Sequence, residues 1–305
     1  MSTEASSTSA RRHSPAAAAI VAMRPKQWLK NVLVFAAPLA AGSLFEPAVL
    51  GPSIVAFVAF CLMSSATYLV NDVRDVASDR AHPNKRFRPI AAGELSVRSA
   101  LVLAVVLAVV SLGVSLAVNI GLAGVLLAYA VFTTAYSLFL KNEPVLELAL
   151  LALGFLLRAI AGGVASDLPI SEWFLLVAGF GSLFMAAGKR YSELMRVLDS
   201  PDPTAVTRKS LSGYSPTYLR FVWATSAAVT ITAYCLWAAE VSRAPSTMPW
   251  AAWSVVPFVL AILRYAVDVD RGLAEAPEDV VLRDRVLVIL GLIWLALFGL
   301  GALGV

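Results

Sequence analysis

The stretch YLVNDVRDVASD, residues 68–79, lies where an apolar run of more than fifteen residues ends in a group of carboxylates. On an α-helix its polar residues recur at i, i+3, i+4, i+7 and i+11, so they form one stripe along one face. The stripe consists of Tyr68, Asn71, Asp72, Asp75 and Asp79. Three aspartates on one face repel one another unless a cation lies among them. Hard oxygen ligands of this kind suit a Mg²⁺ ion that keeps sites for water and phosphate.

The alternative is that these residues cap and solvate the end of a membrane helix, although a cap needs a single Asp or Asn. A run of cations without matching acids follows the stripe and consists of Arg80, Lys85, Arg86 and Arg88. Carboxylates for a metal followed by cations are typical of a diphosphate site. The stretch therefore predicts a metal site next to a site for a diphosphate.

The composition predicts a membrane protein. Of the 305 residues, 59% are hydrophobic and 14% are charged, and the mean hydropathy is +0.78, which is too apolar for a soluble domain of this length. The two cysteines, Cys61 and Cys235, lie inside apolar runs, so neither a disulfide framework nor a metal–thiolate site is supported. The net charge of +4 comes from short loops between apolar runs, which argues against nucleic-acid binding.

Apolar runs of spanning length predict an all-α polytopic fold with about nine transmembrane helices. Residues 1–20 are predicted to be a disordered cytoplasmic tail without a cleaved signal peptide, and residues 21–305 to be the transmembrane domain. The predicted spans are approximately 32–46, 50–71, 97–118, 120–140, 144–164, 171–189, 214–239, 247–267 and 284–304.

The positions of the basic residues predict the orientation of these spans. With the amino terminus inside, the inner segments hold all but two of the 24 Lys and Arg residues. The exceptions are Arg158, within the fifth span, and Arg243, in an outer loop. By the positive-inside rule the protein is expected to be a multi-pass protein of the plasma (inner) membrane, with its active site facing the cytoplasm.

Other polar residues at inner helix ends are candidate phosphate ligands. Lys26 belongs to a basic collar at residues 24–31, and Tyr136 and Lys141 end the fourth span. Anchoring at the membrane interface explains these three residues equally well. Lys189, Arg190 and Tyr191 follow the small residues 186–188, where close packing would hold the two cations against a neighbouring helix end.

Arg158 has apolar neighbours on both sides, which is costly in lipid unless its side chain faces a cavity or a partner. It is therefore a candidate site residue, with snorkelling toward the outer interface as the alternative. Asp268 and Asp270 end the eighth span and suggest a second acidic site. A plainer alternative is that Arg264 pairs with Asp268 at i and i+4.

The stripe resembles the first signature of the UbiA superfamily of intramembrane prenyltransferases, Asn-Asp-x-x-Asp-x-x-x-Asp, without a substitution. The resemblance covers about residues 20–305 and implies a nine-helix bundle around a central cavity with a cytoplasmic cap. It also implies that Mg²⁺ on the signature residues holds a substrate diphosphate. The second aspartate-rich motif of prenyl-diphosphate enzymes is missing, because its expected place is taken by the cationic segment GKRYSE at residues 188–193.

One aspartate cluster facing cations fits one metal-bound diphosphate and a second phosphate bound by cations alone. With the segments RPKQWLKN at 24–31 and KRFRPIAAG at 85–93, the sequence resembles the phosphoribosyltransferase branch of the superfamily, whose members use decaprenyl phosphate. That resemblance implies transfer of a 5-phosphoribosyl group from phosphoribosyl diphosphate to a polyprenyl phosphate, with release of diphosphate. The product would supply arabinose units to the cell wall.

In this interpretation Asp72, Asp75 and Asp79 are catalytic, through a Mg²⁺ ion that Asn71 also binds. Substrate binding is expected to involve two groups of residues. Tyr68 is also expected to take part, by contacting the ribose or its phosphate. The expected ligands of the diphosphate are Lys26, Lys85, Arg86 and Arg88. The expected ligands of the lipid phosphate are Lys141, Arg158, Lys189 and Arg190, next to Tyr136 and Tyr191.

Two alternatives remain at this stage. One is a UbiA-type prenyltransferase that uses a prenyl diphosphate and a small aromatic acceptor. The other is a transporter or lipid carrier. An internal repeat and charges near the bilayer midplane are expected of such a protein, and neither is visible in the sequence. The sequence leaves the length of the lipid and the oligomeric state open, a homo-oligomer included.

Overall fold

The computed structural model describes residues 14–199, 209–242 and 248–303 of the protein. The predicted tail at residues 1–13 and the predicted outer-loop Arg243 lie outside the described residues. Within the described ranges the chain forms helices and turns, with no strand. The α-helices are α1 (Pro15–Ala22), α2 (Ala36–Ala40), α3 (Pro47–Arg74), α4 (Val76–Ala81), α5 (Val97–Val118), α6 (Ile120–Ala135), α7 (Leu146–Ala165), α8 (Glu172–Leu198), α9 (Pro216–Val241), α10 (Trp250–Asp270), α11 (Pro277–Arg283) and α12 (Arg285–Leu303).

Short segments of other helix types join some of these α-helices. The 3₁₀ helices are Pro25–Phe35, Lys85–Phe87 and Lys209–Gly213. A π-helical turn, Tyr136–Leu140, continues α6. Turns of this kind inside α-helices are frequent at functional sites.

The long helices form an antiparallel bundle in which α3 packs on α5, α8 on both α7 and α9, and α10 on α12. Separate apolar cores hold its parts together. Phe60 and Leu126 belong to the core of α3, α6 and α7, while Phe184 and Leu219 belong to the core that includes α8, α9 and α10. We call the end of the bundle that carries Asp72 the motif end.

The outer surface of the bundle is apolar. Val105, Val109 and Leu292 are all more than 60% exposed, and they lie in the middle of α5 and α12. Side chains of this kind are stable when they face hydrocarbon. This apolar surface and the lengths of the helices identify the chain as a multi-pass membrane protein.

The predicted count of nine spans is not confirmed. Seven helices of the described residues are long and apolar enough to cross a membrane, namely α3, α5, α6 with its π-helical turn, α7, α9, α10 and α12. Helix α8 has 27 residues but carries Lys189, Arg190, Glu193 and Arg196 in its last ten residues.

The first predicted span, 32–46, is not one α-helix. It falls on the 3₁₀ helix Pro25–Phe35, on α2 and on the following turn. At about 2.0 Å per residue in the 3₁₀ helix and 1.5 Å in α2, residues 25–40 together extend over about 30 Å, which is close to the thickness of the hydrocarbon core.

Part of the predicted tail is helical. Residues 15–20 belong to α1, which begins with Pro15 after the capping residue Ser14. Ala18 and Ala22 are buried in a core that also contains Leu69 of α3 and Ala100 of α5. This packing orders residues that are too small and too uniform to predict a helix from their pattern alone.

Candidate active site

A cavity of about 920 Å³ lies between the helices of the bundle. It follows α8 from Trp173 to Arg190, a distance of about 25 Å at 1.5 Å per residue. Most of its wall is apolar, while Arg24, Asn71 and Lys189 lie in the part of the wall at the motif end. The predicted site residues in the wall are Lys26, Tyr68, Asn71, Tyr136, Arg158, Lys189 and Arg190.

The remaining predicted residues lie outside this wall. Lys85 and Arg86 are exposed, and the guanidinium of Arg86 lies 4.8 Å from the ring centroid of Phe87. The other residues outside the wall are Asp72, Asp75, Asp79, Arg88, Lys141 and Tyr191. The structure thus divides the predicted set between the cavity wall, exposed positions such as Lys85 and Arg86, and buried positions such as Asp72, Asp79 and Tyr191.

Helix α3 ends one residue before Asp75, where the backbone adopts φ −88° and ψ 7°, and α4 begins at Val76. Two bonds bridge this break, from Asp75 N to Asn71 O at 2.9 Å and from Asp79 N to Asp75 O at 2.8 Å. The residues of the stripe therefore keep nearly helical spacing across the break. Asp72 and Asp79 are each 3% exposed, and Asp75 is half-buried.

All three aspartates of the stripe have cationic partners within the chain. Asp72 Oδ1 accepts from Arg24 Nη2 at 2.6 Å and from Arg88 Nη1 at 3.2 Å. The same Arg88 Nη1 donates to Asp79 Oδ2 at 2.7 Å. Asp75 Oδ1 contacts Lys141 Nζ at 2.9 Å. These ion pairs offset the mutual repulsion of the three carboxylates, which their spacing on one helix face had predicted.

The described residues contain no group of three or more His, Cys, Asp or Glu side chains arranged to hold a metal ion. The donor chemistry nevertheless fits a hard divalent cation. Each ion pair uses one oxygen of its carboxylate, and the side chain of Asn71 lines the cavity one residue before Asp72. Oxygen donors on adjacent helical turns are the kind that Mg²⁺ accepts.

Arg24 lies at the site but is not among the site residues predicted from the sequence. Its backbone is left-handed, with φ 56°, directly before Pro25. This conformation is uncommon for a residue with a side chain. It places the guanidinium on Asp72 and 5.1 Å from the ring centroid of Tyr68. The basic collar was visible in the sequence, but the collar alone did not distinguish Arg24 from Lys26.

The π-helical turn Tyr136–Leu140 brings the end of α6 to the aspartates. The amide of Lys141 donates to Tyr136 O at 2.9 Å, and Arg74 of α3 donates to the carbonyls of Ser137 and Leu138. The turn thereby presents Tyr136 to the cavity and the ammonium of Lys141 to Asp75.

Arg190 is held by buried carboxylates. Its Nε donates to Glu147 Oε1 at 2.8 Å and its Nη2 to Glu147 Oε2 at 2.8 Å, while its Nη1 donates to Glu193 Oε2 at 2.8 Å. Glu147 is 0% exposed. The guanidinium is therefore already engaged along both edges, although Arg190 borders the cavity. Glu147 was missed because its partner lies 43 residues away.

The segments around this pair are also fixed. Val145 N donates to the hydroxyl of Tyr214 at 2.7 Å. Burial raises the pKa of Tyr214 to about 12, and the nearby Glu147 acts in the same direction. Tyr191 is 1% exposed, and its hydroxyl accepts from Arg220 Nη2 at 2.7 Å. Tyr191 therefore packs inside the bundle and is not in the cavity wall, where it was expected.

Arg158 lies deep in the cavity wall. It donates to Asn31 Oδ1 at 2.8 Å, to Gly154 O at 2.7 Å and to the hydroxyl of Tyr129 at 2.8 Å. These acceptors are neutral. Arg158 lies 12 residues after the start of α7, or about 18 Å along the helix axis. Arg158 therefore lies about three helical turns from the motif end of α7.

Two ion pairs lie at the surface near the end of α10. Arg264 Nε contacts Asp284 Oδ2 at 2.7 Å, so the suggested pairing of Arg264 with Asp268 is wrong. Asp284 also accepts from the amide of Val286 at the start of α12, and its pKa is lowered chiefly by Arg264. Asp270 contacts Arg220 Nη2 at 3.1 Å.

Fold and sequence together define the class of protein: the profile of the UbiA prenyltransferase family matches residues 32–283, and the chain belongs to this family. The predicted resemblance and the all-α fold are thereby confirmed. A solved UbiA homolog from Archaeoglobus fulgidus bound to DMAPP and Mg²⁺ has the same fold, with a TM-score of 0.71 and 18% identity. The alignment covers 94% of this chain and 99% of that homolog.

Curated relatives are more similar in sequence. The decaprenyl-phosphate phosphoribosyltransferase of Mycobacterium tuberculosis (strain CDC 1551 / Oshkosh) is 52% identical over 287 residues, which cover 93% of each chain. The decaprenyl-phosphate phosphoribosyltransferase of Mycolicibacterium smegmatis is 49% identical over 310 residues, which cover 98% of this chain and 96% of the relative.

Proposed function

We propose that this chain transfers the 5-phosphoribosyl group of phosphoribosyl diphosphate to decaprenyl phosphate and releases diphosphate. One structural observation carries the proposal: the acidic cluster of α3 and α4 directly follows Tyr68 and Asn71, which line the cavity, and Lys189 of α8 lies in the wall of the same cavity. The ammonium group of Lys189 suits a phosphate monoester that binds without a second metal ion. The names of the curated relatives support this choice of substrates.

The cavity suits a lipid with a charged end. Its wall along α8 includes Phe174, Val177 and Phe184, and its wall along α12 includes Trp294 and Phe298. An isoprenoid chain would gain by burying its surface there, at about 25 cal/mol per Å² of apolar area. The phosphate would then lie at the motif end beside Lys189 and Tyr136.

The transfer is a substitution at the anomeric carbon of the ribose. An oxygen of the lipid phosphate forms a bond to this carbon, the bond to the diphosphate breaks, and the electron pair leaves on the diphosphate. Since the attacking phosphate is an anion at neutral pH, no strong general base is required. The residues for which we propose Mg²⁺ binding are Asn71, Asp72, Asp75 and Asp79. Bound there, the ion would neutralise charge on the departing diphosphate.

The cations of the motif end have separate tasks in this proposal. Lys26 in the cavity wall contacts the diphosphate, and the exposed Lys85 and Arg86 attract it to the mouth. Tyr68 borders the cavity one turn before Asp72 and contacts the ribose or its phosphate.

Arg190 positions Lys189 in this proposal, because its own donors are directed at Glu147 and Glu193. Arg158 fixes the 3₁₀ helix to α6 and α7 through Asn31 and Tyr129. We assign the lipid phosphate to Lys189, which lies in the cavity wall directly before Arg190.

The proposed location is the plasma membrane, with the motif end facing the cytoplasm. The distribution of basic residues along the chain supports this orientation, because the loops at the motif end carry most of them. A water-soluble donor such as phosphoribosyl diphosphate would then reach the cavity from the cytoplasm.

A direct test is to incubate the purified protein with Mg²⁺, phosphoribosyl diphosphate and decaprenyl phosphate and to measure diphosphate release. We expect release that depends on all three components. If diphosphate is instead released when a prenyl diphosphate replaces the donor and an aromatic acceptor replaces decaprenyl phosphate, the protein catalyses prenyl transfer.

A further inference from the structure

Arg88 lies where a bridging cation would lie. A single nitrogen, Nη1, contacts both Asp72 Oδ1 at 3.2 Å and Asp79 Oδ2 at 2.7 Å. Arg24 adds a second guanidinium on the same oxygen of Asp72. The two buried carboxylates are thus joined by a positive group that belongs to the chain itself.

A divalent cation bound to Asp72 and Asp79 would lie next to these guanidinium groups, whichever oxygen of each carboxylate it used. If both stayed in place, their like charges would repel at a distance of a few ångströms, and the protein interior screens such charges poorly. Binding of a cation between Asp72 and Asp79 therefore requires that Arg88 moves away. Arg24 has to give up Asp72 Oδ1 for the same reason.

Both arginines have the freedom to move. Their side chains are 26% exposed at Arg24 and 27% exposed at Arg88. Arg24 directly precedes the 3₁₀ helix Pro25–Phe35 and Arg88 directly follows Lys85–Phe87, so both side chains extend from segments outside the long helices. Arg190, by contrast, is 2% exposed and cannot leave Glu147 without uncovering a buried charge.

We propose that Arg24 and Arg88 are exchangeable counter-ions that pass from the carboxylates of Asp72 and Asp79 to the diphosphate of the donor when a divalent cation binds. This inference rests on the proposed function, because it takes the metal and the diphosphate from it. It adds Arg24 to the residues that bind substrate. A guanidinium matches the oxygens of a diphosphate as well as it matches a carboxylate.

The exchange couples the two ligands. A divalent cation alone must displace two arginines that then have no anion to contact, so it binds weakly. In the presence of diphosphate, the displaced arginines gain new partners, and each ligand strengthens the binding of the other by the same factor. The protein thereby holds metal firmly when the donor is present.

The test measures metal binding without catalysis. Mn²⁺ bound to the full chain in detergent is quantified by electron paramagnetic resonance for the wild type, Arg88→Gln and Arg24→Gln. Arg80→Gln is the matched control, because Arg80 follows Asp79 directly but donates from Nε to the carbonyl of Ala91. Retention of labelled inorganic diphosphate at saturating Mn²⁺ is measured on the same samples.

We expect Arg88→Gln to bind Mn²⁺ alone about tenfold more tightly than the wild type, which is the size of one charge-assisted contact. The same variant should retain diphosphate at least tenfold more weakly. Arg24→Gln should change both affinities in the same directions, while Arg80→Gln stays close to the wild type. Monodisperse elution of each variant verifies folding.

Two results would overturn the proposed exchange. They differ in whether they also contradict the metal site of the proposed function. If Arg88→Gln and Arg24→Gln bind Mn²⁺ no more tightly than Arg80→Gln, the arginines are fixed partners and only the exchange fails. If the wild type binds no Mn²⁺ with or without diphosphate, the metal site of the proposed function fails, and the exchange fails with it.

Discussion

Arg190 of α8 and Glu147 of α7 form a two-point ion pair in which both side chains are almost completely buried, at 2% and 0% exposure. Nε and Nη2 donate to the two carboxylate oxygens, each at 2.8 Å. The pair locks the start of α7 to the part of α8 that carries Lys189. Because Lys189 precedes Arg190 directly, this contact determines where the cavity wall presents its ammonium group.

Removing Glu147 should destabilise the protein more than removing any exposed acid. Glu147→Ala leaves Arg190 buried with a single carboxylate partner, and breaking a buried pair in this way costs about 3–5 kcal/mol. Thermal unfolding in detergent measures the effect. The control is Glu143→Ala, an exposed position four residues earlier, which should change stability by less than about 1 kcal/mol. Equal effects of the two substitutions would contradict the structural role of the pair.

Lys189→Ala should raise the apparent KM for polyprenyl phosphate by about ten- to a hundredfold, because it removes one charge-assisted contact. The KM for phosphoribosyl diphosphate should change much less. Arg196→Ala is the matched control on the same helix, since the side chain of Arg196 is 67% exposed and pairs with Glu275. A larger effect on the KM for phosphoribosyl diphosphate than on that for the lipid would show that Lys189 serves the donor.

Asp75→Ala should abolish turnover while the fold survives. The pair between Asp75 and Lys141 is partly exposed, at 25% and 31%, so its loss is expected to cost less than about 1 kcal/mol of stability. Steady-state kinetics over a range of Mg²⁺ concentrations, together with thermal unfolding, separate the two effects. Wild-type turnover in a folded Asp75→Ala variant would remove Asp75 from the proposed metal ligands.

The orientation of the bundle can be tested at Lys85, which is exposed beside the motif end. We expect Lys85→Cys to resist a membrane-impermeant thiol reagent in intact cells and to react after the membrane is opened. The two native cysteines are replaced first; they lie in α3 and α9. Labelling in intact cells would place the motif end outside and contradict the proposed cytoplasmic site. Arg208, another position suited to this experiment by sequence, lies outside the described residues.

The local patterns of the sequence predicted much of the fold. The apolar run at 97–118 has the same bounds as α5, and the run at 120–140 corresponds to α6 with its π-helical turn. Hydrophobic length predicts such helices because a lipid-facing helix has to cover the hydrocarbon core. It did not predict the 3₁₀ helix Pro25–Phe35, whose tighter winding is not encoded in hydrophobic length.

The partners of the charged residues were harder to predict. Spacing along one helix brought the three aspartates together on one face, since i, i+3 and i+4 are neighbours. Their partners Arg24 and Lys141 come from 48 and 66 residues away, and Glu147 lies 43 residues from Arg190. Such pairs depend on how helices pack against one another, and no local pattern specifies that packing.

The most direct test of the central claim is to follow the ribose. Donor labelled in its ribose is incubated with the purified protein, Mg²⁺ and decaprenyl phosphate, and the organic phase is counted. The account predicts that label enters the lipid fraction in step with diphosphate release, and that Asp72→Asn stops both. Label that stays in the aqueous phase, while the same preparation joins a prenyl diphosphate to an aromatic acceptor, would contradict it.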